Sequence, residues 1–404
     1  MAHLRKRLLT LPLKKSMEFS PLVGVMGHRQ VGKTTLLEGF AEKYFTLDRK
    51  SERDEATRDP ARYIKDRAGK WVVFDECQVV PDLFPELKDW VRTHKKPGQF
   101  ILSGSIRFTS REAIRESLTG RIVNLELLPF VLSELGRYPL PQLCRDAIET
   151  ESFASMMKSV VFEKTAIRYR HALMRTYFEN GGLPGVCFIR DERIRGQRLE
   201  EQLNTMLDRD LRMVRKIFLS LSKVRSVIRA LGRMQGEPLD YTRLKSESAV
   251  STPTIKKLIQ AFEAMYLIRL LPIEGGTSGM TIFFEGQAER RSLLSEEPTP
   301  YENLSHFAFT QARAPFVYAI GESTESFQYR TRGGARIPIA YRNKMGVLGI
   351  IPLIDPGAIS TVMGSVNSFL KTYGKAKVLI LHPETEVPQI IQSRVLLAPI
   401  GLFI

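Results

Sequence analysis

The sequence contains few of the residues that build disulfide frameworks or metal clusters. Its 404 residues include three cysteines and six histidines. Cys77, Cys144 and Cys187 lie far apart and are odd in number, which excludes a disulfide framework and a zinc knuckle. The histidines show no metal-ligand spacing. This cysteine usage fits a reducing compartment, so we expect the protein in the cytoplasm.

Long apolar runs are also lacking. No stretch of about 18 apolar residues occurs, so the sequence predicts no membrane-spanning helix and no stable membrane insertion. A short apolar patch at residues 8–13 is interrupted by Pro12 and followed by Lys14 and Lys15, which makes it too short for the core of a signal peptide. We expect residues 1–20 to form a basic arm that either binds phosphates or is only a solvated tail.

Positive charge is in excess. Lys and Arg number 60 against 44 Asp and Glu, which gives a formal net charge of +16. Such a balance favours polyanions as partners, with nucleic acid before an anionic membrane surface, although some soluble proteins are simply basic.

A phosphate-binding motif follows the first predicted strand. Residues 27–34 match G-x-x-x-x-G-K-[ST] at every fixed position, after an apolar strand and before an amphipathic helix. The glycines let successive backbone N–H groups point at phosphates, and the start of the helix adds its positive end. We therefore predict that a nucleoside triphosphate binds here with Mg²⁺. The predicted nucleotide contacts are Gly27, His28, Arg29, Gln30, Val31, Gly32, Lys33, Thr34 and Thr35.

Two acids end a later apolar strand. Trp71-Val72-Val73-Phe74 leads into Asp75 and Glu76, and in a parallel sheet that end lies beside the phosphate loop. We expect Thr34 and Asp75 to hold Mg²⁺, Lys33 to bridge the β- and γ-phosphates, and Glu76 to activate the attacking water.

Further candidates follow the next strand. Ser105 can sense the γ-phosphate or position the water, although a plain turn at the strand end is an alternative. Arg107, Arg111, Arg115 and Arg121 come soon after, and one of them can contact nucleotide in its own chain or in a neighbour. Arginines on a solvated helix face are the alternative.

These motifs occur in the order found in a known family. Residues 27–37, Asp75-Glu76-Cys77-Gln78, residues 81–88, 100–107 and 117–122, and Gly181-Gly182-Leu183-Pro184 together resemble the prokaryotic AAA-type ATPases that carry a C-terminal domain of unknown function, numbered 4143. The resemblance implies ATP rather than GTP. It makes Arg121, in a Gly-Arg element, the preferred arginine finger or sensor. Because AAA-type cores often place an arginine at a neighbour's site, it also allows a homo-oligomer.

The resemblance further implies an α/β architecture of four modules after the basic arm. These are a P-loop ATPase core with a parallel sheet (residues 21–135), a helical lid (136–221), a winged helix-turn-helix module (222–285), and a C-terminal α/β domain similar to restriction endonucleases (286–404). In the last domain, the expected metal-binding acids and lysine are replaced by Pro338, Ile351, Pro352 and Leu353, while Glu302 remains. We therefore expect this domain to lack nuclease activity, although Asp355 lies nearby.

Residues 240–273 have helix-turn-helix character. Ser251-Thr252-Pro253 suits the start of a second helix. Thr254, Lys256 and Lys257 lie near that start, where a recognition helix meets DNA. Double-stranded DNA is thus one expected partner, and a protein is the alternative, because winged helices also serve as protein-contact modules.

The sequence as a whole favours a Mg²⁺-dependent ATPase whose hydrolysis rearranges C-terminal modules that contact nucleic acid or protein. A nucleotide-gated binding module with little turnover is the alternative. An ATP-driven nuclease is a third hypothesis, and we expect no such cleavage.

Overall fold

The computed structural model of the chain describes residues 4–107, 120–159, 173–215, 217–294, 296–319, 321–383 and 387–403. Within these ranges the strands form a sheet of five strands and a sheet of eight strands. No helix in the described ranges is both long enough and apolar enough to cross a membrane.

The five-stranded sheet contains the first five strands of the chain. They are β1 (Leu22–Met26), β2 (Lys43–Thr46), β3 (Val72–Asp75), β4 (Phe100–Gly104) and β5 (Ile122–Glu126). Their order across the sheet is β2-β3-β4-β1-β5, and every pairing is parallel. Both faces are covered, which suits the apolar composition of β1 and β4. The predicted α/β core with a parallel sheet is thus confirmed.

Five helices accompany this sheet in the described part of residues 1–126. They are α1 (Thr10–Phe19), α2 (Lys33–Glu38), α3 (Lys50–Arg58), α4 (Pro60–Arg67) and α5 (Leu83–Thr93), and a 3₁₀ turn (Cys77–Val79) follows β3.

The described part of the predicted basic arm, from residue 4 onward, is not a solvated tail. Leu9, Leu13 and Met17 are buried in the same apolar cluster as β1, and their spacing of four residues places them on one side of α1. Arg7 is buried and donates to Glu134 Oε1 at 3.0 Å and to the carbonyl of Val31 at 2.7 Å. The segment therefore belongs to the ATPase core and helps to fix its phosphate loop.

The middle of the chain is helical. Its described helices are α6 (Leu132–Gly136), α7 (Leu143–Glu149), α8 (Phe153–Ser159), α9 (residues 173–180), α10 (Glu192–Thr205) and α11 (Leu211–Val214), with a π-helical turn (Met206–Asp210) between the last two.

These helices do not pack as the single lid predicted for residues 136–221. Phe153 and Met174 lie in one apolar cluster with residues of the eight-stranded sheet. Leu203 and Leu211 lie in another, together with the helices that follow them. The predicted lid is therefore divided between two cores, because each half finds its apolar partners in a different part of the chain.

Three helices and a hairpin come next. They are α12 (Leu221–Gly232), α13 (Tyr241–Ser248), α14 (Thr252–Ala264), β6 (Ile268–Glu274) and β7 (Met280–Phe284). Asp240 caps α13 through its side chain, and Ala249 adopts a left-handed conformation where α13 ends. Short isolated bridges join Gln235 and Pro238 to β7.

The eight-stranded sheet joins this hairpin to the end of the chain. Its further strands are β8 (Glu325–Arg330), β9 (Arg336–Asn343), β10 (Gly346–Pro352), β11 (Lys377–His382), β12 (Gln389–Gln392) and β13 (Val395–Pro399). The order is β12-β13-β11-β10-β9-β8-β6-β7. Because β6 pairs with β8 through Ile273 and Gln328, the predicted boundary between residues 285 and 286 falls within one continuous sheet.

The C-terminal helices complete the fold. They are α15 (Gln287–Leu293), α16 (Pro300–Val317) and α17 (Ile359–Thr372), with 3₁₀ turns at Pro356–Ala358 and Ile400–Phe403. Phe307 and Ala312 of α16 pack in the apolar cluster beneath the sheet, whereas Phe369 of α17 lies in a separate cluster.

Candidate functional site

The phosphate loop joins β1 to α2 and needs glycine at two positions. A Cβ atom at Gly27 would lie 2.4 Å from the carbonyl oxygen of Leu127, which no side chain tolerates. Gly32 has a φ of +93° just before α2, a conformation that favours glycine. Gln30 is also left-handed, with a φ of 59°. The loop therefore forms the backbone curve that the motif predicts.

Lys33 lies inside this loop. Its side chain is buried, and Nζ donates to the carbonyls of Gly27 and His28, each at 3.0 Å. Burial lowers the pKa of Lys33, while the carboxylates of Glu76 and Asp75 oppose that change. The ammonium group is thus held at the place where the phosphates of a nucleotide would sit.

Asp75 ends β3 and is surrounded by donors. Its carboxylate accepts from the hydroxyls of Tyr44 and Ser103, from Thr34 Oγ1 at 3.0 Å and from the backbone N–H of Glu76 at 3.0 Å. The structure thereby brings the two predicted metal ligands, Thr34 and Asp75, side by side. Tyr44 and Ser103 were not identified from the sequence, because single hydroxyl residues at strand positions carry no motif.

Glu76 stands next to Asp75 in a left-handed conformation, with a φ of 56°. Its Oε2 accepts from Gln78 Nε2 and lies 3.3 Å from Ser105 Oγ. Burial raises the pKa of Glu76 against the opposing effect of the Lys33 ammonium. A carboxylate with a raised pKa is a better proton acceptor, which suits a general base.

The donor set fits Mg²⁺ and a nucleoside triphosphate. Mg²⁺ takes a few protein oxygens, completes its shell with water and phosphate oxygens, and needs no all-protein cage. The adjacent Thr34 hydroxyl and Asp75 carboxylate supply such oxygens. Among the described residues, no group of three or more His, Cys, Asp and Glu side chains is placed to hold a metal ion.

Two loop residues reach beyond the ATPase sheet. His28 is buried, and its Nε2 lies 3.0 Å from Glu289 Oε2 on α15. Burial disfavours the charged imidazole, but Glu289 outweighs it, so the pKa of His28 is raised. Arg29 Nη1 lies 3.2 Å from both carboxylate oxygens of Asp210 in the π-helical turn. The phosphate loop is therefore in direct contact with the later part of the chain.

The glycine-rich turn at residues 181–185 also lies against the loop. A Cβ atom at Gly185 would come within 2.7 Å of Gln30 Oε1, and one at Gly182 within 2.4 Å of the carbonyl oxygen of Phe130. These glycines permit a close approach that larger residues would block.

Of the four arginines near β4 and β5, the two that the structure describes, Arg107 and Arg121, are not brought to the phosphate loop of their own chain. Arg107 Nε donates to the carbonyl of Glu263, and its guanidinium lies over the ring of Tyr266. Arg121 precedes Ile122, which pairs with Leu22 at the start of β1. The loop follows the other end of that strand, about 13–16 Å away. Contact of Arg121 with a neighbour's nucleotide stays a prediction. Arg111 and Arg115 lie outside the described residues.

The predicted DNA-contacting residues all lie at the start of α14. Lys256 and Lys257 are exposed and Thr254 is half-buried. Thr254 Oγ1 lies 2.9 Å from Ser251 Oγ, and Lys256 Nζ is 5.3 Å from the ring centre of Tyr241.

The expected remnant of a nuclease site has a mixed lining with a single acid. A cavity of about 410 Å³ is lined by apolar residues that include Pro338 of β9 and Ile351 and Pro352 of β10, and also by Arg336 and Asp355. Glu302 lies in the first turn of α16, forms a capping box with Thr299 and accepts from Arg290 Nη2 at 2.5 Å. Its carboxylate is therefore held by a helix cap and an ion pair.

Comparisons with known proteins identify two regions of the chain. Residues 20–136 match the model of a family described as AAA domain, and residues 171–274 match a domain of unknown function numbered 8612 rather than 4143. Two mycobacterial relatives are each 34% identical over 128 residues, which is 31% of this chain: uncharacterized protein Mb2031c of Mycobacterium bovis and uncharacterized protein Rv2008c of Mycobacterium tuberculosis. The match spans only 29% of the length of each relative.

Two solved structures show distant likeness. A Walker-type ATPase of Pyrococcus abyssi has a TM-score of 0.42 and 14% identity, over 70% of this chain and 94% of its own. A signal transduction ATPase with a tetratricopeptide repeat sensor, from Pyrococcus horikoshii, has a TM-score of 0.28 and 12% identity, over 78% of this chain and 46% of its own. Scores this low say nothing about activity.

The expected kinship with AAA-type ATPases is thus confirmed, and the AAA domain supports the binding and hydrolysis of ATP. Residues 20–136 are thus identified as an AAA domain, and residues 171–274 as a domain of unknown function.

Proposed function

We propose that this chain is a Mg²⁺-dependent ATPase whose hydrolysis rearranges C-terminal modules that contact nucleic acid or protein. The observation that carries the proposal is the side-by-side position of Thr34 and Asp75, with Glu76 next along the chain. A P-loop that only bound nucleotide would not need a second carboxylate beside the metal ligands.

Each residue has a distinct task. Lys33 neutralises charge on the β- and γ-phosphates, and its amine is already desolvated in the loop. Thr34 and Asp75 hold Mg²⁺, which supplies charge stabilisation to the phosphates when bound. Glu76 accepts the proton of the attacking water. Ser105 and Gln78, which both contact the Glu76 carboxylate, orient it toward that water.

Contacts of the phosphate loop with later elements support the coupling of hydrolysis to rearrangement. His28 meets Glu289 on α15, which also accepts from Gln202 Nε2 on α10 at 2.7 Å. Any movement of the loop on nucleotide exchange changes the surroundings of two buried carboxylates, Glu289 and Asp210. Because buried charges need their partners, such a change shifts the helices that carry these acids.

The order of elements from α12 to β7 supports a winged-helix module, with α14 in the position of a recognition helix. The exposed Lys256 and Lys257, together with the net charge of the chain, favour double-stranded DNA as the partner, contacted also by Thr254. A helix, three antiparallel strands, a helix and a parallel strand, from α16 to β11, support a nuclease-like domain. Its cavity is lined by one acid, Asp355, rather than by a set of metal-binding acids, which favours a role in contact rather than cleavage.

The test is steady-state phosphate release with Mg²⁺-ATP, with and without double-stranded DNA, for the wild type and Glu76→Gln. Loss of a general base is expected to lower turnover by about 10²–10⁴-fold while ATP still binds. A Glu76→Gln variant that hydrolyses ATP as fast as the wild type would refute the assigned role. A wild type that binds ATP without turnover would favour the nucleotide-gated binding module instead.

The DNA partner is tested with the double variant Lys256→Ala/Lys257→Ala. Each lost phosphate contact is expected to reduce the salt dependence of DNA binding by about one unit in log–log slope. Lys371→Ala, an exposed lysine on α17, is the matched control and should bind like the wild type. Unchanged binding by the double variant would shift the proposal to a protein partner.

A further inference from the structure

An open groove lies beside α1 on the ATPase core. Its cavity of about 1060 Å³ is lined by residues from two segments, 4–15 and 133–145, and by Tyr318, Ala319 and Glu322. Many of the lining residues are exposed, so the cavity opens to solvent. Its volume is at the upper limit of small-molecule sites, which measure about 300–1,000 Å³. An open cavity of this size can hold a segment of another chain.

The charges that line the groove are not balanced. Two acids line it, and each pairs with an arginine that also lines it. Glu134 pairs with Arg7 at 3.0 Å, and Glu322 pairs with Arg145 at 2.7 Å. Four further cations are exposed and form no ion pair with a described residue. They are Lys6, Lys14, Lys15 and Arg137. The groove therefore carries an excess of positive charge that its own acids do not neutralise.

Apolar side chains lie among these cations. Leu4 is 60% exposed and Leu11 is 59% exposed, and both line the groove. Leu8 and Leu140, which also line it, are half-buried and pack against the apolar cluster of α1 and β1. Exposed apolar side chains inside a polar rim mark surfaces that bind other proteins. The groove thus offers both apolar contact and positive charge to a partner.

Three other occupants fit this chemistry less well. Nucleic acid would pair with the cations, but its phosphates give the exposed leucines no apolar contact. A membrane surface is flat and would not fill a groove. A second copy of the chain, bound two-fold through the same face, would bring like charges together, because such an interface uses one patch twice. The combination of leucines and unpaired cations favours an acidic protein segment.

We propose that this groove binds an acidic segment of a partner protein that also carries apolar side chains. The apolar side chains pack on Leu4 and Leu11, and the carboxylates pair with the four unpaired cations. Arg7, which lines the groove, donates to the Val31 carbonyl in the phosphate loop. The partner therefore contacts the ATPase core next to a residue that fixes this loop, and this surface is separate from the DNA contacts proposed for α14.

The test measures the binding of a labelled peptide to the full chain by fluorescence anisotropy. No nucleotide is present, so the result does not depend on ATP turnover. The probe is a peptide of about 12 residues with Leu at every third or fourth position and Glu elsewhere, which gives it one apolar face as a helix. The control peptides replace each Leu by Ser or each Glu by Lys. Only the acidic leucine peptide should bind tightly, and its affinity should fall as the salt concentration rises.

Separate variants remove the charge and the apolar contact. Lys14→Ala/Lys15→Ala should weaken binding of the acidic leucine peptide about fivefold, the usual effect of losing two exposed ion pairs. Leu11→Ser should weaken it by about the same factor, because it removes apolar surface that binding would bury. Lys95→Ala/Lys96→Ala is the matched control, since these two consecutive lysines are also exposed but do not line the groove. It should bind like the wild type.

Three outcomes would overturn the inference. Equally tight binding of the serine peptide would show that the leucines take no part. Unchanged affinity in both groove variants would place the peptide elsewhere on the chain. Binding of double-stranded DNA or anionic lipid vesicles through Lys14 and Lys15, without binding of the acidic peptide, would show that the groove recognises phosphate groups. Peptide binding as expected in a chain without ATP turnover would refute the proposed hydrolysis and leave the assignment of the groove intact.

Discussion

The end of the five-stranded sheet and the cavity beside β9 and β10 are two sites that differ in how their acids are held. At the first, four donors surround the Asp75 carboxylate, three of them side-chain hydroxyls. At the second, Asp355 is the one acid among the lining residues, and Pro338, Ile351 and Pro352 line the same cavity. A buried carboxylate is stable only where donors or cations compensate its lost hydration. A catalytic site is therefore better recognised by the hydrogen-bond partners of its acids than by the place it occupies in the fold.

The sharpest test of this comparison replaces one acid in each region. Asp75→Asn should lower ATP turnover by at least about 100-fold, because a metal ligand worth several kcal/mol of charge stabilisation is lost. Asp355→Asn is the control. The Asp355 carboxylate accepts only from the backbone of its own turn among the contacts described, at 2.8 Å from Gly357 N. Phosphate release measured on both variants should separate them, and an equal loss would mean that the C-terminal cavity takes part in the chemistry.

A smaller effect is expected at Glu302, the acid that remains in the C-terminal region. Glu302→Ala should lower the free energy of unfolding by about 2 kcal/mol, because it removes a helix cap and the partner of Arg290, whose side chain is 1% exposed. Glu297→Ala is the control, since Glu297 is 71% exposed and its ion pair with Arg291 is of the weak surface type. Urea unfolding followed by circular dichroism measures both.

The stability difference between the wild type and Glu302→Ala should depend on pH. Burial alone would raise the pKa of Glu302, but the Thr299 backbone and Arg290 outweigh it and lower the pKa from 4.5. A depressed pKa means that the stabilisation is present above pH 4.5 and disappears as the pH falls through the lower value in the folded state. The difference between wild type and Glu302→Ala should therefore shrink in acid. A difference that stays constant would contradict the role of the charge.

The smallest expected effect concerns glycine. Gly364 lies within α17, and a Cβ atom there would meet nothing within 4 Å. Gly364→Ala should therefore raise the free energy of unfolding by about 0.5–1 kcal/mol, because alanine loses less backbone entropy in a helix. At Gly27 the same substitution should instead lower the free energy of unfolding, because a Cβ atom there would contact the Leu127 carbonyl. Thermal unfolding of Gly364→Ala measures the effect, and a loss of stability would show that the open space is occupied in solution.

Local patterns allowed the phosphate site to be predicted. Each part of the site, the loop with its lysine and the two acids, lies in a short segment whose strand or helix can be predicted from the apolar spacing. The parallel sheet then brings the ends of these strands together. The contact of Asp210 with Arg29 was missed because it depends on how α10 packs against the phosphate loop, and no local pattern records that.

The error about residues 1–20 has a different cause. Leu9, Leu13 and Met17 recur every four residues, which is the spacing of an apolar helix face. The prediction of a basic arm was instead based on the charges of residues such as Lys14 and Lys15, which are exposed. No comparable sequence pattern indicated that the helices of the predicted lid pack in two different apolar clusters. Phe153 and Met174 pack against strands far along the chain, and apolar periodicity predicts that a face is buried without naming what covers it.

The continuous sheet that joins β6 to β8 has a consequence for synthesis on the ribosome. The hairpin of β6 and β7 emerges first, and the outer hydrogen-bonding edge of β6 near Ile273 has no partner until Gln328 and Tyr329 have followed it. An open strand edge invites pairing with another chain. The nascent protein therefore passes through a stage in which its central module depends on residues still inside the ribosomal tunnel.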